Sequence, residues 1–170
     1  SFCVNGLGNF YNASVALAQV PAADCGPTPS SNVSVNATIA TSFTFGGTNP
    51  IYKTLQEAYY NTNNTRTIFL QENVNLTALA QTIRNDTTLN CQGKQINSTS
   101  TALKITGANR HTVKDCFILT SGNSNYGIHV LTSKGNQIIN TTINTTGTTA
   151  YGVYFQTQAN DSGIINSTLN

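Results

Sequence analysis

The sequence is poor in the residues that mark several common classes of protein. It contains no methionine and no tryptophan, and only 8% of its 170 residues are charged, against about 25% in an average soluble domain. No apolar run approaches the length of about 18 residues that a membrane-spanning helix needs. The net charge of +2 comes without any cluster of lysine and arginine. We therefore expect no membrane span and no nucleic-acid partner.

Metal-binding motifs are also missing. The chain has four cysteines and two histidines, but no Cys-x-x-Cys pair occurs, and His111 and His129 are not spaced as ligands of one ion. A structural zinc site needs such closely spaced ligands. The sequence therefore predicts no metal site and no cofactor.

Uncharged polar residues are abundant instead. Asn, Ser and Thr account for 63 residues, and eleven asparagines lie in N-x-Ser/Thr sequons, which are acceptors for N-glycosylation. An even number of cysteines fits an oxidising compartment. These features predict an extracellular, N-glycosylated protein of the cell surface. The sequon asparagines are Asn12, Asn32, Asn36, Asn63, Asn75, Asn85, Asn97, Asn140, Asn144, Asn160 and Asn166.

A 25-residue repeat runs through the second half of the chain. The segments 101–105, 126–130 and 151–155 align without a gap, and each alternates apolar and polar residues, as in Leu103-x-Ile105. A fixed period of about 20 to 50 residues indicates stacked structural units, and alternation with a period of two indicates strands. The repeat therefore predicts an all-β fold, a parallel β-helix of about four coils.

Equivalent residues of successive coils are expected to lie about 4.8 Å apart and to stack in columns. Four apolar columns are predicted to form the core. They are Leu103, Ile128 and Val153; Ile105, Val130 and Phe155; Val113, Ile138 and Ile164; and Ile118, Ile143 and Leu169.

A polar column recurs at the same period, at Asn90, Asp115, Asn140 and Asn166. Stacked asparagine side chains can hydrogen-bond to one another along such a column, so we predict an inward-facing polar ladder at one turn. Asn140 and Asn166 are then doubtful sequons, because their amides would be sequestered.

The cysteines suggest two crosslinks. Cys91 and Cys116 are one period apart, and a separation near 4.8 Å lies within the usual Cα range of a disulfide, about 4.4 to 6.8 Å. Cys3 and Cys25 would then form a second bond. Four cysteines allow three connectivities, and the sequence alone leaves the other two open.

The segments 88–96, 126–130 and 135–143 resemble the repeats of NosD-like proteins, which are right-handed parallel β-helices of the pectate-lyase-like superfamily, and archaeal cell-surface members in particular. The resemblance covers about residues 51 to 170. It implies a right-handed coil. It does not select a function, because this fold serves sugar-active enzymes, carbohydrate-binding modules, surface-layer proteins and adhesins.

The first part of the chain departs from the repeat. Residues 1–47 are interpreted as a non-repetitive β segment, and residues 48–170 as the β-helix with a capping helix at 50–61. The apolar residues Ile51, Leu55, Ala58 and Tyr59 are expected to share one face of this helix. Residues 33–45 alternate apolar and polar side chains and predict a long strand. This strand either pairs along the flank of its own solenoid or adds to the sheet of a neighbouring subunit.

Three functions are compatible with these features. Glycan-cleaving enzymes of this fold need paired carboxylates, but the six acidic residues offer no pair on adjacent coils, so we expect no catalysis. Tyr126, His129, Tyr151 and Tyr154 form an outward aromatic group suited to sugar rings, which makes a carbohydrate-binding module the alternative. The main prediction is a structural subunit of a cell-surface filament, lattice or adhesin stalk that self-associates through its ends or by strand addition.

Overall fold

The structure is a computed structural model that describes residues 2–4, 9–11, 33–35, 51–52, 54–62, 64–82 and 84–170. Its main body is a parallel β-solenoid of about four turns with about 25 residues per coil, which confirms the predicted fold class. Four sequon asparagines, the predicted Cys3–Cys25 pairing and residues 36–45 of the predicted long strand lie outside the described residues. Those four asparagines are Asn12, Asn32, Asn36 and Asn63.

In chain order the elements are β1 (Phe2–Val4), β2 (Asn9–Tyr11), β3 (Val33–Val35), β4 (Ile51–Tyr52), α1 (Leu55–Asn61), β5 (Thr67–Leu70), β6 (Val74–Leu76), β7 (Ala80–Thr82), β8 (Thr88–Asn90), β9 (Gln95–Ser98), β10 (Leu103–Thr106), β11 (Thr112–Lys114), β12 (Phe117–Ser121), β13 (Tyr126–Leu131), β14 (Gln137–Ile139), β15 (Thr142–Thr146), β16 (Tyr151–Gln156), β17 (Gly163–Ile165) and β18 (Thr168–Leu169). From β5 onward, three strands separated by short turns make one coil.

Three parallel sheets line the solenoid. Sheet I runs β17-β14-β11-β8-β5-β3-β4, sheet II runs β18-β15-β12-β9-β6, and sheet III runs β16-β13-β10-β7. Strands β1 and β2 form a separate antiparallel pair. Strand β3 pairs in parallel with β5, with Val33 opposite Ile68, and with β4, so residues 33–35 extend sheet I next to the first coil.

The core contains the four apolar columns that the repeat predicts, together with the buried residues of the first coils and of α1. Sheet III aligns two of these columns, Leu103 with Ile128 and Val153, and Ile105 with Val130 and Phe155. Sheets I and II align one column each in the same way. The members in the middle coils are almost wholly inaccessible to solvent. Each coil therefore buries its apolar face against the coil before and after it.

The helix α1 covers the first coil, but it begins later than the sequence predicts. Thr54 is the N-cap, and its hydroxyl accepts a hydrogen bond from the Glu57 backbone while the Glu57 carboxylate accepts one from the Thr54 backbone. This reciprocal capping box starts the helix at Leu55. The predicted start at residue 50 is wrong, because Ile51–Tyr52 pairs as strand β4 with β3 instead. Leu55, Ala58 and Tyr59 are buried as predicted.

Cys91 and Cys116 form a disulfide across adjacent coils, with Cα atoms 4.8 Å apart. The two cysteines do not occupy equivalent positions in the strand register, however. The Cys91 N–H donates to the Lys114 carbonyl, and the Phe117 N–H donates to the Lys94 carbonyl. The chain therefore turns over residues 91–94 in one coil and over 115–116 in the next, so the earlier turn is two residues longer.

A buried polar network lies beneath the cap. His111 has no exposed surface, its backbone N–H donates to Oδ1 of Asn136 at 2.9 Å, and its Nε2 lies 3.4 Å from the hydroxyl of Tyr59 on α1. Its Nδ1 is buried without a hydrogen-bond partner. Burial lowers the pKa of His111 to about 3, so the imidazole is neutral in the folded protein at neutral pH.

No helix among the described residues has the length and the apolar character that crossing a membrane requires.

Candidate functional site

A local break in strand alternation builds the aromatic group on the outside of sheet III. Tyr126 pairs with Tyr151 and Ile128 with Val153, yet Gly127 and Ile128 are both buried. Two consecutive inward residues place Tyr126 and His129 on the same outer face. The same break in β16 places Tyr151 beside Tyr154.

The four rings form one contiguous cluster, which we call the aromatic cluster: Tyr126, His129, Tyr151 and Tyr154. The tyrosine rings are nearly parallel, with interplanar angles of 21 to 23° and centroids 4.8 to 6.1 Å apart. His129 lies 5.2 Å from Tyr126 and 5.3 Å from Tyr154. Tyr151 is the most accessible member and keeps 53% of its surface exposed. The structure therefore brings together the four residues that the sequence singled out for sugar contact.

Hydrogen-bonding groups surround the cluster. The Nε2 atom of His129 lies 2.8 Å from Oε1 of Gln156, which orients the imidazole. Lys104 stands opposite His129 in the strand register, and Gln81 stands opposite Lys104. The outer face of sheet III thus combines aromatic surface with amide, ammonium and hydroxyl groups.

We predict that Gly127→Ala destabilises the solenoid by about 1 to 3 kcal/mol, as overpacking of a core does. A Cβ atom at Gly127 would lie 2.6 Å from the backbone oxygen of Gly152 and would also overlap the side chain of Ile143. Because one of the clashing atoms is the backbone oxygen of Gly152, a side-chain rotation cannot relieve the clash, and one coil must move away from the next. Urea denaturation followed by circular dichroism measures the change.

Gly163→Ala is the matched control for this substitution. Gly163 also lies in a parallel strand, but no atom lies within 4 Å of the position that an added Cβ would occupy, and its φ is not in the left-handed region. We expect its free energy of unfolding to stay within about 0.5 kcal/mol of the parent value. Equal stability of the two variants would contradict the close approach of Gly127 to the next coil.

The polar column at the turn between sheets I and II differs from the predicted ladder in two respects. First, the register places Asn90 opposite Lys114, not Asp115, because paired residues of β8 and β11 are 24 residues apart and not 25. The Asn90 side chain instead accepts a hydrogen bond from the Gln92 backbone. Asn90 therefore does not belong to the column.

Second, the remaining column faces outward. Asn140 and Asn166 are exposed, and Nδ2 of Asn140 donates to Oδ1 of Asp115 at 2.8 Å. Asp115, Asn140 and Asn166 have φ values of 54, 49 and 47°, a left-handed conformation that Asn and Asp tolerate better than most residues. Backbone conformation explains this recurrence. The two sequon asparagines are not buried, but the Asn140 amide nitrogen is engaged by Asp115.

A second asparagine column, between sheets III and I, is not predicted from the sequence. Oδ1 of Asn64 accepts from the backbone of Asn85, Oδ1 of Asn85 from Asn109, and Oδ1 of Asn109 from Lys134, at 2.8 to 3.1 Å. In the sequence, successive members of this column are 21, 24 and 25 residues apart, and these near-regular spacings are the signal by which the column could have been found. Unequal turn lengths in the early coils hide this column from a search at a fixed period.

Three sequon asparagines share one outward column on sheet II. Asn75 pairs with Asn97, Asn97 with Leu119, and Leu119 with Asn144. Nδ2 of Asn97 donates to Oδ1 of Asn75 at 2.8 Å, and Oδ1 of Asn97 accepts from the Gln95 side chain. Asn75 is exposed, whereas Asn97 and Asn144 are half-buried. The other described sequons, Asn85, Asn140, Asn160 and Asn166, lie in turns between strands.

The carboxylates make structural contacts. Asp86 accepts two hydrogen bonds from Arg110 of the next coil, at 2.5 and 2.8 Å, and this hydrogen bonding lowers the pKa of Asp86. Asp115 accepts from Asn140, and Glu57 caps α1. A surface cleft of about 480 Å³ adjoins Asp115, lined also by Phe117 and Gln92.

No protein-family model, curated protein or solved structure matches this chain. The class that its geometry defines is a parallel β-solenoid.

Proposed function

We propose that this protein is an extracellular, N-glycosylated structural protein, a subunit of a cell-surface filament, lattice or adhesin stalk. The observation that carries the proposal is the stacking of coils along one axis, in which three parallel sheets continue from coil to coil. Coils of this kind bury their apolar faces against neighbouring coils, and the inward residues Phe155, Ile164 and Leu169 of the final strands β16, β17 and β18 are 37, 39 and 44% exposed. A parallel stack can be extended by a further coil from a second copy, which would continue the hydrogen bonding between strands.

Two other features support a structural role. The disulfide ties adjacent coils together, and the low charge content is compatible with a surface kept soluble by glycans. The resemblance to NosD-like and archaeal cell-surface β-helices points in the same direction and belongs to the proposal.

Self-association can be tested with a matched pair of substitutions in one strand. Ile164 continues the buried Ile138 column, whereas its neighbour Ile165 continues the outward Ile139 column, and the two are 39 and 42% exposed. We expect Ile164→Glu to abolish concentration-dependent association in light scattering, because it places a charge in the axial interface. Ile165→Glu should leave association unchanged. A monomeric parent protein, or equal effects of both substitutions, would refute axial stacking.

Glycan occupancy should follow the hydrogen bonding of the sequon amides. We expect Asn75 to carry a glycan and Asn97 to carry little, because Asn75 is exposed and uses its oxygen, while both polar atoms of the Asn97 side chain are engaged. A sugar on Asn97 would require its amide to leave these bonds. Glycopeptide mass spectrometry of the native protein measures both sites, and higher occupancy at Asn97 would contradict the prediction.

Carbohydrate binding is the second candidate function. It is favoured by the aromatic cluster, because exposed tyrosine rings with polar neighbours suit the apolar face and the hydroxyl groups of a sugar. A module of this kind would bind glycans at the cell surface.

A further inference from the structure

The sequons are unevenly distributed over the surface of the solenoid. Seven sequon asparagines lie among the described residues, and they occur on sheet II or in turns. None of these seven lies on β7, β10, β13 or β16, the strands of sheet III. Glycans on these seven asparagines would therefore leave the outer face of sheet III clear.

That face has a distinctive chemistry. Its outward column runs Gln81, Lys104, His129 and Tyr154, and the other tyrosines of the aromatic cluster lie beside it. The four strands contain no Asp or Glu. One lysine supplies their only full positive charge, so an anionic ligand would find little opposite charge there.

We infer that the outer face of sheet III binds a neutral oligosaccharide and that the placement of the seven described sequons keeps this face free of the glycans they carry. The inference rests on the carbohydrate-binding candidate and is independent of axial assembly. A pyranose ring would pack its C–H face on Tyr151, the most exposed ring, because aromatic rings attract such partially positive surfaces. His129, Gln156, Lys104 and Gln81 would hydrogen-bond to its hydroxyl groups.

The chain permits a direct test with added glycans. Lys104→Asn places an asparagine ahead of Ile105-Thr106 and creates a sequon on the outer face of sheet III. Leu119→Asn creates one ahead of Thr120-Ser121, in the sheet II column between Asn97 and Asn144. The two changes add the same modification to different faces of adjacent coils. Intact mass reports whether each new site is used.

Binding is measured on a printed array of neutral hexose and N-acetylhexosamine oligomers, with the native glycosylated protein. We expect the parent and Leu119→Asn proteins to bind alike, and glycosylated Lys104→Asn to lose binding. Tyr151→Ala combined with Tyr154→Ala should weaken binding about tenfold or more, since stacking contacts contribute at this level. These tyrosine substitutions need no added glycan, so they test the site even if the new sequon is unused.

Absence of binding to every neutral oligomer would overturn both the inference and the carbohydrate-binding candidate. Binding that survives the tyrosine substitutions, with circular dichroism confirming the fold, would overturn the location alone. Loss of binding in glycosylated Leu119→Asn equal to that in Lys104→Asn would also overturn the assignment to sheet III. Axial assembly is measured separately by light scattering, so its outcome cannot be confused with these results.

Discussion

Replacing both cysteines of the inter-coil disulfide, as Cys91→Ala with Cys116→Ala, is expected to lower the free energy of unfolding by about 3.5 kcal/mol. The bond closes a loop of 25 residues, and the loop-entropy relation assigns this magnitude to a loop of that length. Urea denaturation of the parent and the double variant, both unreduced, measures the loss.

The double variant also supplies the control for reduction. Cys3 and Cys25 remain in it, so any further effect of dithiothreitol on this variant reports on those cysteines alone. We expect most of the effect of reductant on the parent to be absent from the variant. Coincident unfolding curves for the oxidised parent and the variant would show that the crosslink contributes nothing to stability.

Acid is expected to destabilise the fold through His111. Its pKa is about 3 in the folded protein, against 6.5 for an unperturbed histidine. The unfolded chain therefore binds a proton below about pH 6.5 that the folded protein does not bind until about pH 3. The stability associated with neutral His111 is fully present above pH 6.5 and is lost as the pH falls through this window, by about 1.4 kcal/mol per unit.

His111→Gln isolates this effect, because glutamine stays neutral and the carboxylates that also titrate are common to both proteins. We expect the variant to be less stable at pH 7, where Tyr59 and Asn136 contact histidine. The difference from the parent should shrink by about 3 kcal/mol between pH 6.5 and pH 4. Parallel stability curves over this range would mean that His111 is accessible to protons in the folded state.

The 25-residue period predicts which core side chains stack on one another, because it counts the residues between equivalent positions of successive coils. Leu103, Ile128 and Val153 stack as predicted since their coils are equally long. The same count fails at Asn90, because β8 and β11 pair at a spacing of 24 residues, one fewer than the period. A repeat count is reliable only where turn lengths are constant.

The aromatic cluster was partly predictable. The recurrence of Tyr-Gly at 126 and 151 placed Tyr126 and Tyr151 one above the other, and alternation placed His129 and Tyr154 outside. Strict alternation would however have put Tyr126 on the face opposite His129. The consecutive inward Gly127 and Ile128 reverse this, because glycine fits where Ile143 and the Gly152 backbone leave no room for a side chain.

The sequence by itself determined the solenoid, its strand composition and its apolar columns, since each follows from side-chain pattern and a constant repeat length. Only the tertiary structure decided that Cys91 pairs with Cys116, which way the polar columns face, where α1 begins and which described surface is free of sequons. These depend on backbone dihedral angles at turns and on pairings such as β3 with β4, which join residues far apart in the sequence and leave no local periodic signal.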